Sequence, residues 1–153
     1  MAMYFTTIRN TNQETIIHFE DVNATAGVID ISTLAAATQV RNSDTPKVNI
    51  VRFVSTGQLG SSIIVSRNGK NIIACAPENA PILDLTQYGI SDSTNNDQNI
   101  TITNGGAQAV SGYITLRKIQ GWNTTVETAT YGSYDDPTRV GASTTLSGSP
   151  DKA

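Results

Sequence analysis

His18 is the chain's single histidine and Cys75 its single cysteine. Nucleophilic or metal chemistry would have to be built around one of them. Metal centres draw on several His, Cys, Asp or Glu ligands, and His18 has no second histidine to pair with. It sits in Glu14–Glu20, ETIIHFE, where Ile17 and Phe19 share one face of a predicted strand and Ile16 and His18 share the other. A Ser-His-Asp triad on an α/β-hydrolase elbow needs a G-x-S-x-G turn, and none occurs. His18 therefore reads as a sheet histidine. A thiol becomes a nucleophile beside a group that stabilises the thiolate. Cys75 is flanked by Ala74 and Ala76, with Ile73 close by, and reads as an inert buried thiol. No catalytic residue, cofactor or metal is expected, and the chain reads as a non-enzyme.

Three other groupings could do chemistry. Gly57-Gln58-Leu59-Gly60-Ser61-Ser62 has glycines spaced somewhat like a phosphate loop. It lacks the lysine, and a strand follows where a helix should open, so a hairpin loop is expected. Asp92, Asn95, Asn96 and Asp97 could gather oxygens around calcium. The fixed glycine and terminal glutamate of an EF-hand are missing, and a solvated loop is the simpler reading. Asp135-Asp136 precedes Pro137 and reads as a turn. Asn23-Ala24-Thr25, Asn99-Ile100-Thr101 and Asn123-Thr124-Thr125 match the glycosylation pattern, a chance match in an Asn/Thr-rich chain without a recognisable signal peptide. Tyr113, Trp122, Tyr131 and Tyr134 could form a sugar platform, but they read better as anchors of an interface, together with Val140 and Leu146.

The elements that would position these residues are strands. Val48–Ala76 reads as three consecutive strands joined by two turns. Asn68-Gly69 lies between SSIIVSR and KNIIACA, and both residues tolerate the positive φ of a type I′ hairpin. That turn sets Arg67 against Lys70, Val65 against Ile72, Ile64 against Ile73 and Ile63 against Ala74. Both hairpin faces are then apolar, and one of them should be covered by another part of the fold or by a neighbouring subunit. Met3–Arg9, Val28–Ile31, Ile82–Thr86, Asn99–Thr103 and Val110–Ile119 read as further strands, the last with Val110, Ile114 and Leu116 inward. Ser32–Ala37 is the one helix candidate, of one or two turns, with Ser32 as its cap. About eight to ten short strands with regular turn signals predict an all-β fold, an antiparallel β-sandwich or jelly-roll-like barrel.

With 153 residues, the chain suits one domain. Charged residues make up only 15% and the formal net charge is −3, which argues against a basic nucleic-acid surface or attraction to an anionic membrane. One cysteine cannot staple the domain, and no apolar stretch approaches membrane-spanning length. Residues 1–122 are expected to form the β-sandwich. Residues 123–153 form an extended arm, whose sizeable apolar groups are Val126, Tyr131, Tyr134, Val140 and Leu146. Such an arm cannot order itself and suits an assembly component that lies across a neighbour.

In whole-chain style the sequence resembles the small virion structural proteins of tailed bacteriophages, the capsid decoration or cement proteins above all. The resemblance lies in the MAMYFTTIRNT start, the Val48–Ala76 stretch with its RNGK turn, the YITLRKIQGW strand and the Gly/Ser/Thr tail. It implies a non-enzymatic β-sandwich that braces a phage shell as a homo-oligomer, often a trimer. The implied partners are other virion proteins, including the major capsid protein, with no direct contact to nucleic acid or membrane. The implied location is the virion, after assembly in the host bacterial cytoplasm. A head–tail connector or tail component and a carbohydrate-binding module are the alternative expectations.

Overall fold

The computed structural model describes residues 3–37, 39–41, 46–86, 89–90 and 94–124. The chain is all-β and antiparallel. Its strands are β1 (Tyr4–Asn10), β2 (Glu14–Asp21), β3 (Ala26–Ile29), β4 (Gln39–Arg41), β5 (Lys47–Gly57), β6 (Ile63–Arg67), β7 (Lys70–Cys75), β8 (Ile82–Asp84), β9 (Ile100–Asn104), β10 (Val110–Gln120) and β11 (Trp122–Thr124). One sheet runs β1-β2-β10-β5-β8, a second runs β3-β9-β6-β7, and β4 pairs with β11 in a small third sheet. Among the described residues, those of 3–36 and 41–122 belong to one compact unit and 37, 39–40 and 123–124 to a second.

Within the first unit the chain crosses repeatedly from one large sheet to the other. β2 pairs with β10 and β3 with β9, so strands far apart in sequence lie side by side. This double-sheet exchange is the jelly-roll arrangement, which leaves few open sheet edges. It corrects one expectation. β5 pairs with β10 and β8 while β6 pairs with β7 and β9. The Gly57–Ser62 segment is therefore a crossover between sheets and not a hairpin loop.

Period-two alternation sorts the side chains. Phe19, Phe53, Ile63, Val65, Ile100, Ile102, Ile114 and Leu116 are all sealed between the sheets. Phe19 and Phe53 stack at its centre, with centroids 5.6 Å apart and planes 12° from parallel. Full burial of each such side chain contributes about 2 kcal/mol. The expected inward set on β10, Val110, Ile114 and Leu116, is buried.

Asn68 (φ 50°) and Gly69 (φ 75°) both occupy the left-handed region, and Arg67 does face Lys70. The rest of the expected hairpin register is wrong by one residue. A shift between Val65 and Ser66 sets Val65 against Ile73, Ile64 against Ala74 and Ile63 against Cys75. The irregularity lets Ile72 and Ile73 both reach the core. The outer face is left with Ile64 paired against Ala74 and with Ser66 beside them, a smaller apolar pair than the Ile64–Ile73 pair expected. The helix candidate contracts to a single 3₁₀ turn, Ile31–Thr33. Asp30 caps it, accepting from Ser32 N at 3.0 Å and Ser32 Oγ at 2.7 Å, which takes the hydroxyl away from the cap role expected of Ser32.

Candidate functional site

The outward face of the larger sheet carries the residues that face water. Registers align Thr6, His18, Tyr113, Val54 and Ile82 in one row across five strands. The His18 and Tyr113 rings lie 4.9 Å apart and tilted by 54°. His18 makes no hydrogen bond or ion pair among the described residues, so nothing there orients it as a base. Cys75 is half-buried against the core, its Sγ 3.6 Å from Ser55 Oγ. Among the described residues no three of His, Cys, Asp and Glu gather as metal ligands, and a connected cluster of apolar side chains packs between the sheets.

The acidic loop considered for calcium already surrounds a cation of the protein's own. Arg67, only 2% exposed, is one of the largest sealed side chains. Its Nη1 donates to Val48 O at 2.8 Å, its Nη2 to Asn96 O at 2.6 Å and Gln98 O at 2.8 Å, and its Nε to Gln98 O at 3.0 Å. The side chains of Asn95 and Asn96 turn inward, to Asn68 and Asn49. The loop's carbonyl oxygens thus face a guanidinium instead of an aqueous ion. Asn95 and Asn96 are buried, which corrects the solvated-loop reading for them. Asp92 lies outside the described residues.

Of the expected interface residues, Tyr113 is 47% exposed on the larger sheet. Trp122 is half-buried against the core, and its indole N–H donates to Lys47 O at 3.2 Å. The Lys118 ammonium lies 5.0 Å from the Trp122 ring centroid. The strongest stacking residue is therefore turned into the domain, which counts against the row of exposed aromatics that a sugar face needs. Tyr131, Tyr134, Val140 and Leu146 lie outside the described residues, as does the rest of the expected arm beyond Thr124.

A cavity of about 610 Å³ opens where β2 and β5 end and β1 and β10 begin. The next row of outward residues, Tyr4, Glu20, Ser111 and Thr56, forms one wall. Asp21, Asn23 and Gln58 come from the adjoining turns. The strand ends are tied together: Gln58 N donates to Ala109 O, and Ala109 N donates back to Gln58 Oε1, each at 3.1 Å. Thr56 Oγ1 and Ser111 Oγ share a hydrogen bond of 3.2 Å.

Asp21 anchors the base of the cavity. Burial pushes its carboxyl up, but the Thr25 hydroxyl, the Asn104 amide and the backbone N–H groups of Thr25 and Asn23 outweigh that and hold it below the usual aspartate value. The Asn104 contact, 2.8 Å to Oδ2, reaches across to the end of β9. Asn104 also donates to Gln108 O at 2.9 Å. Sequence reasoning missed this site because its wall is drawn from four strands separated along the chain. One signal was present: Asp21-Val22-Asn23-Ala24-Thr25 has the composition of an Asx turn, in which a carboxylate gathers the N–H groups that follow it.

No protein-family model and no curated protein matches the chain. Solved structures similar to it include TT1209 from Thermus thermophilus (10% identity, 76% of this chain and 84% of that one, TM-score 0.38). A second is an uncharacterised conserved protein with a double-stranded β-helix domain from Klebsiella pneumoniae (8% identity, 81% and 84% covered, TM-score 0.37). A third is a cupin domain from Bordetella pertussis (8% identity, 78% and 95% covered, TM-score 0.34). These similarities concern the fold, and a fold does not specify a function. The expectation of a phage decoration protein, with its connector and sugar-binding alternatives, is corrected here. Two of the similar structures are a double-stranded β-helix protein and a cupin domain, and this finding does not bear out a virion component. No helix among the described residues is long and apolar enough to cross a membrane.

Proposed function

We propose that the chain is a ligand-binding β-sandwich module whose site is the cavity at the end of the larger sheet. The observation that carries this reading is a contrast. A connected apolar cluster packs between the sheets, whereas the sheet-end cavity presents hydroxyls, two carboxylates and amides on a base already fixed by hydrogen bonds. Concave sites with a few convergent polar groups on a rigid support are where small ligands bind. The lining holds no histidine, cysteine or lysine, which favours binding over catalysis.

The test is a ligand-observed NMR screen of small polar compounds, run in parallel on Ser111→Trp. The indole would fill the cavity from the outer face while leaving the buried side of β10 unchanged. Hits on the native chain that vanish in the variant, with its melting temperature retained, support the reading. Hits that persist in the folded variant would place binding elsewhere and defeat it.

A further inference from the structure

We propose that this cavity selects a small organic ammonium compound; the inference rests on the binding reading above and names its ligand class. Two carboxylates, Glu20 and Asp21, lie on the cavity wall, and no lysine or arginine does. Their roles differ. Asp21 Oδ2 accepts from Asn104 Nδ2 at 2.8 Å, Thr25 N at 3.1 Å and Asn23 N at 3.3 Å, while Oδ1 accepts from the Thr25 hydroxyl. Its oxygens are spoken for, so it contributes a fixed negative field and no ligand contact. Glu20 makes no hydrogen bond or ion pair among the described residues and is exposed at the cavity mouth. It is the group free to accept a charged hydrogen bond.

The neighbours of Glu20 suit a cation carrying a polar tail. Tyr4 faces Glu20 across the β1–β2 register and is 58% exposed, so its ring can take the alkyl side of an ammonium by cation–π attraction. On the other side Glu20 faces Ser111, whose hydroxyl shares its hydrogen bond with Thr56. That pair can still accept from, or donate to, a ligand hydroxyl. A neutral polyol would use the hydroxyls and leave Glu20 without a partner. An inorganic anion would meet two carboxylates and no compensating cation.

The experiment is an amide-resolved NMR titration of the full chain with ethanolammonium chloride, ethylene glycol and inorganic phosphate at matched ionic strength. Amides of Glu20, Asp21, Val110 and Ser111 are the reporters. Ethanolammonium should shift them saturably, and the glycol and phosphate should not. Glu20→Gln should weaken ethanolammonium binding roughly fivefold, the scale of a partly screened ion pair. Tyr4→Leu should weaken it about threefold, the scale of an exposed cation–π contact. Overlay of the remaining amides checks that each variant is folded. Glycol or phosphate shifts equal to those of ethanolammonium, or unchanged affinity in folded Glu20→Gln, would overturn the ammonium class and leave the binding site standing. The same holds if ethanolammonium shifts none of the reporters while the screen above yields cavity-dependent hits. If both experiments are empty, the binding reading itself fails.

Discussion

Arg67 Nη2 donates to the carbonyl oxygen of Asn96 at 2.6 Å, and together the two residues fasten the loop before β9 to the hairpin at β6–β7. The guanidinium also reaches Val48 O on β5. One side chain thus crosslinks both large sheets. A buried cation is costly unless its donors are satisfied, and the planar fork of arginine suits several carbonyls at once.

Arg67→Met should therefore destabilise the domain by about 3 kcal/mol, because the carbonyls left behind lose their donors inside the protein. Arg67→Lys should recover only part of this, since one ammonium cannot span the same acceptors. Chemical denaturation of the three proteins measures both. Because a guanidinium already engages the loop's oxygens, millimolar calcium should leave the native melting temperature unchanged.

Gly112 pairs with Phe19 on one side and Ser55 on the other. A Cβ there would sit 2.7 Å from Phe19 Cζ and 2.9 Å from Ser55 Cα, and would also collide with the Val54 carbonyl oxygen. Gly112→Ala should cost about 3 kcal/mol. Adding Phe19→Leu should not rescue it, because backbone atoms of β5 remain in the way. A lower denaturation midpoint in both variants is the expected result. A double mutant as stable as Phe19→Leu alone would show that β5 can move aside.

Asp21 is held ionised by four hydrogen-bonding groups. Its carboxyl lies below the ordinary value of 3.8 in the folded chain, so its contribution is present above that value and is lost as pH falls through the lowered one. Asp21→Asn should destabilise the domain at neutral pH and flatten the acid limb of the stability curve below pH 3.8. Thermal melts across that range, native against variant, read the difference.

Burial pushes the Lys118 ammonium down from 10.5 to about 8, although its Nζ donates to Asn10 Oδ1 and Thr11 O, each at 2.8 Å. Between those two values the unfolded chain binds the proton more readily than the folded one, so stability should rise with pH from about 8 to 10.5. Lys118→Met should remove that rise. Trp122, the only tryptophan, lies beside the ammonium. Its fluorescence should titrate near pH 8 in the native chain and not in the variant.

Much of the fold was legible because sheets write themselves with a period of two. The shared face of Ile17 and Phe19 on β2, the inward set on β10, the Asn68-Gly69 turn and the antiparallel all-β class follow from local alternation and turn chemistry. The slip in hairpin register shows where that logic stops. A one-residue irregularity beside Val65 is set by how Ile72 and Ile73 both find room in the core, and no local rule encodes it. Neither does a local rule say that β5 pairs with β10 and not with β6.

The sequence alone therefore determined the strands, most of their inward faces and the single histidine and cysteine on which chemistry could rest. Only the tertiary structure decided what lies beside what. It placed Tyr4, Glu20, Ser111 and Thr56 in one row although they come from four strands spread along the chain. It turned Trp122 inward, and it set Arg67 within the oxygens of a loop that had suggested calcium. The physical reason is common to all three. Side-chain alternation is a property of neighbours along the chain, whereas a binding wall or a buried cation's cage is a property of strands brought together by packing a shared core.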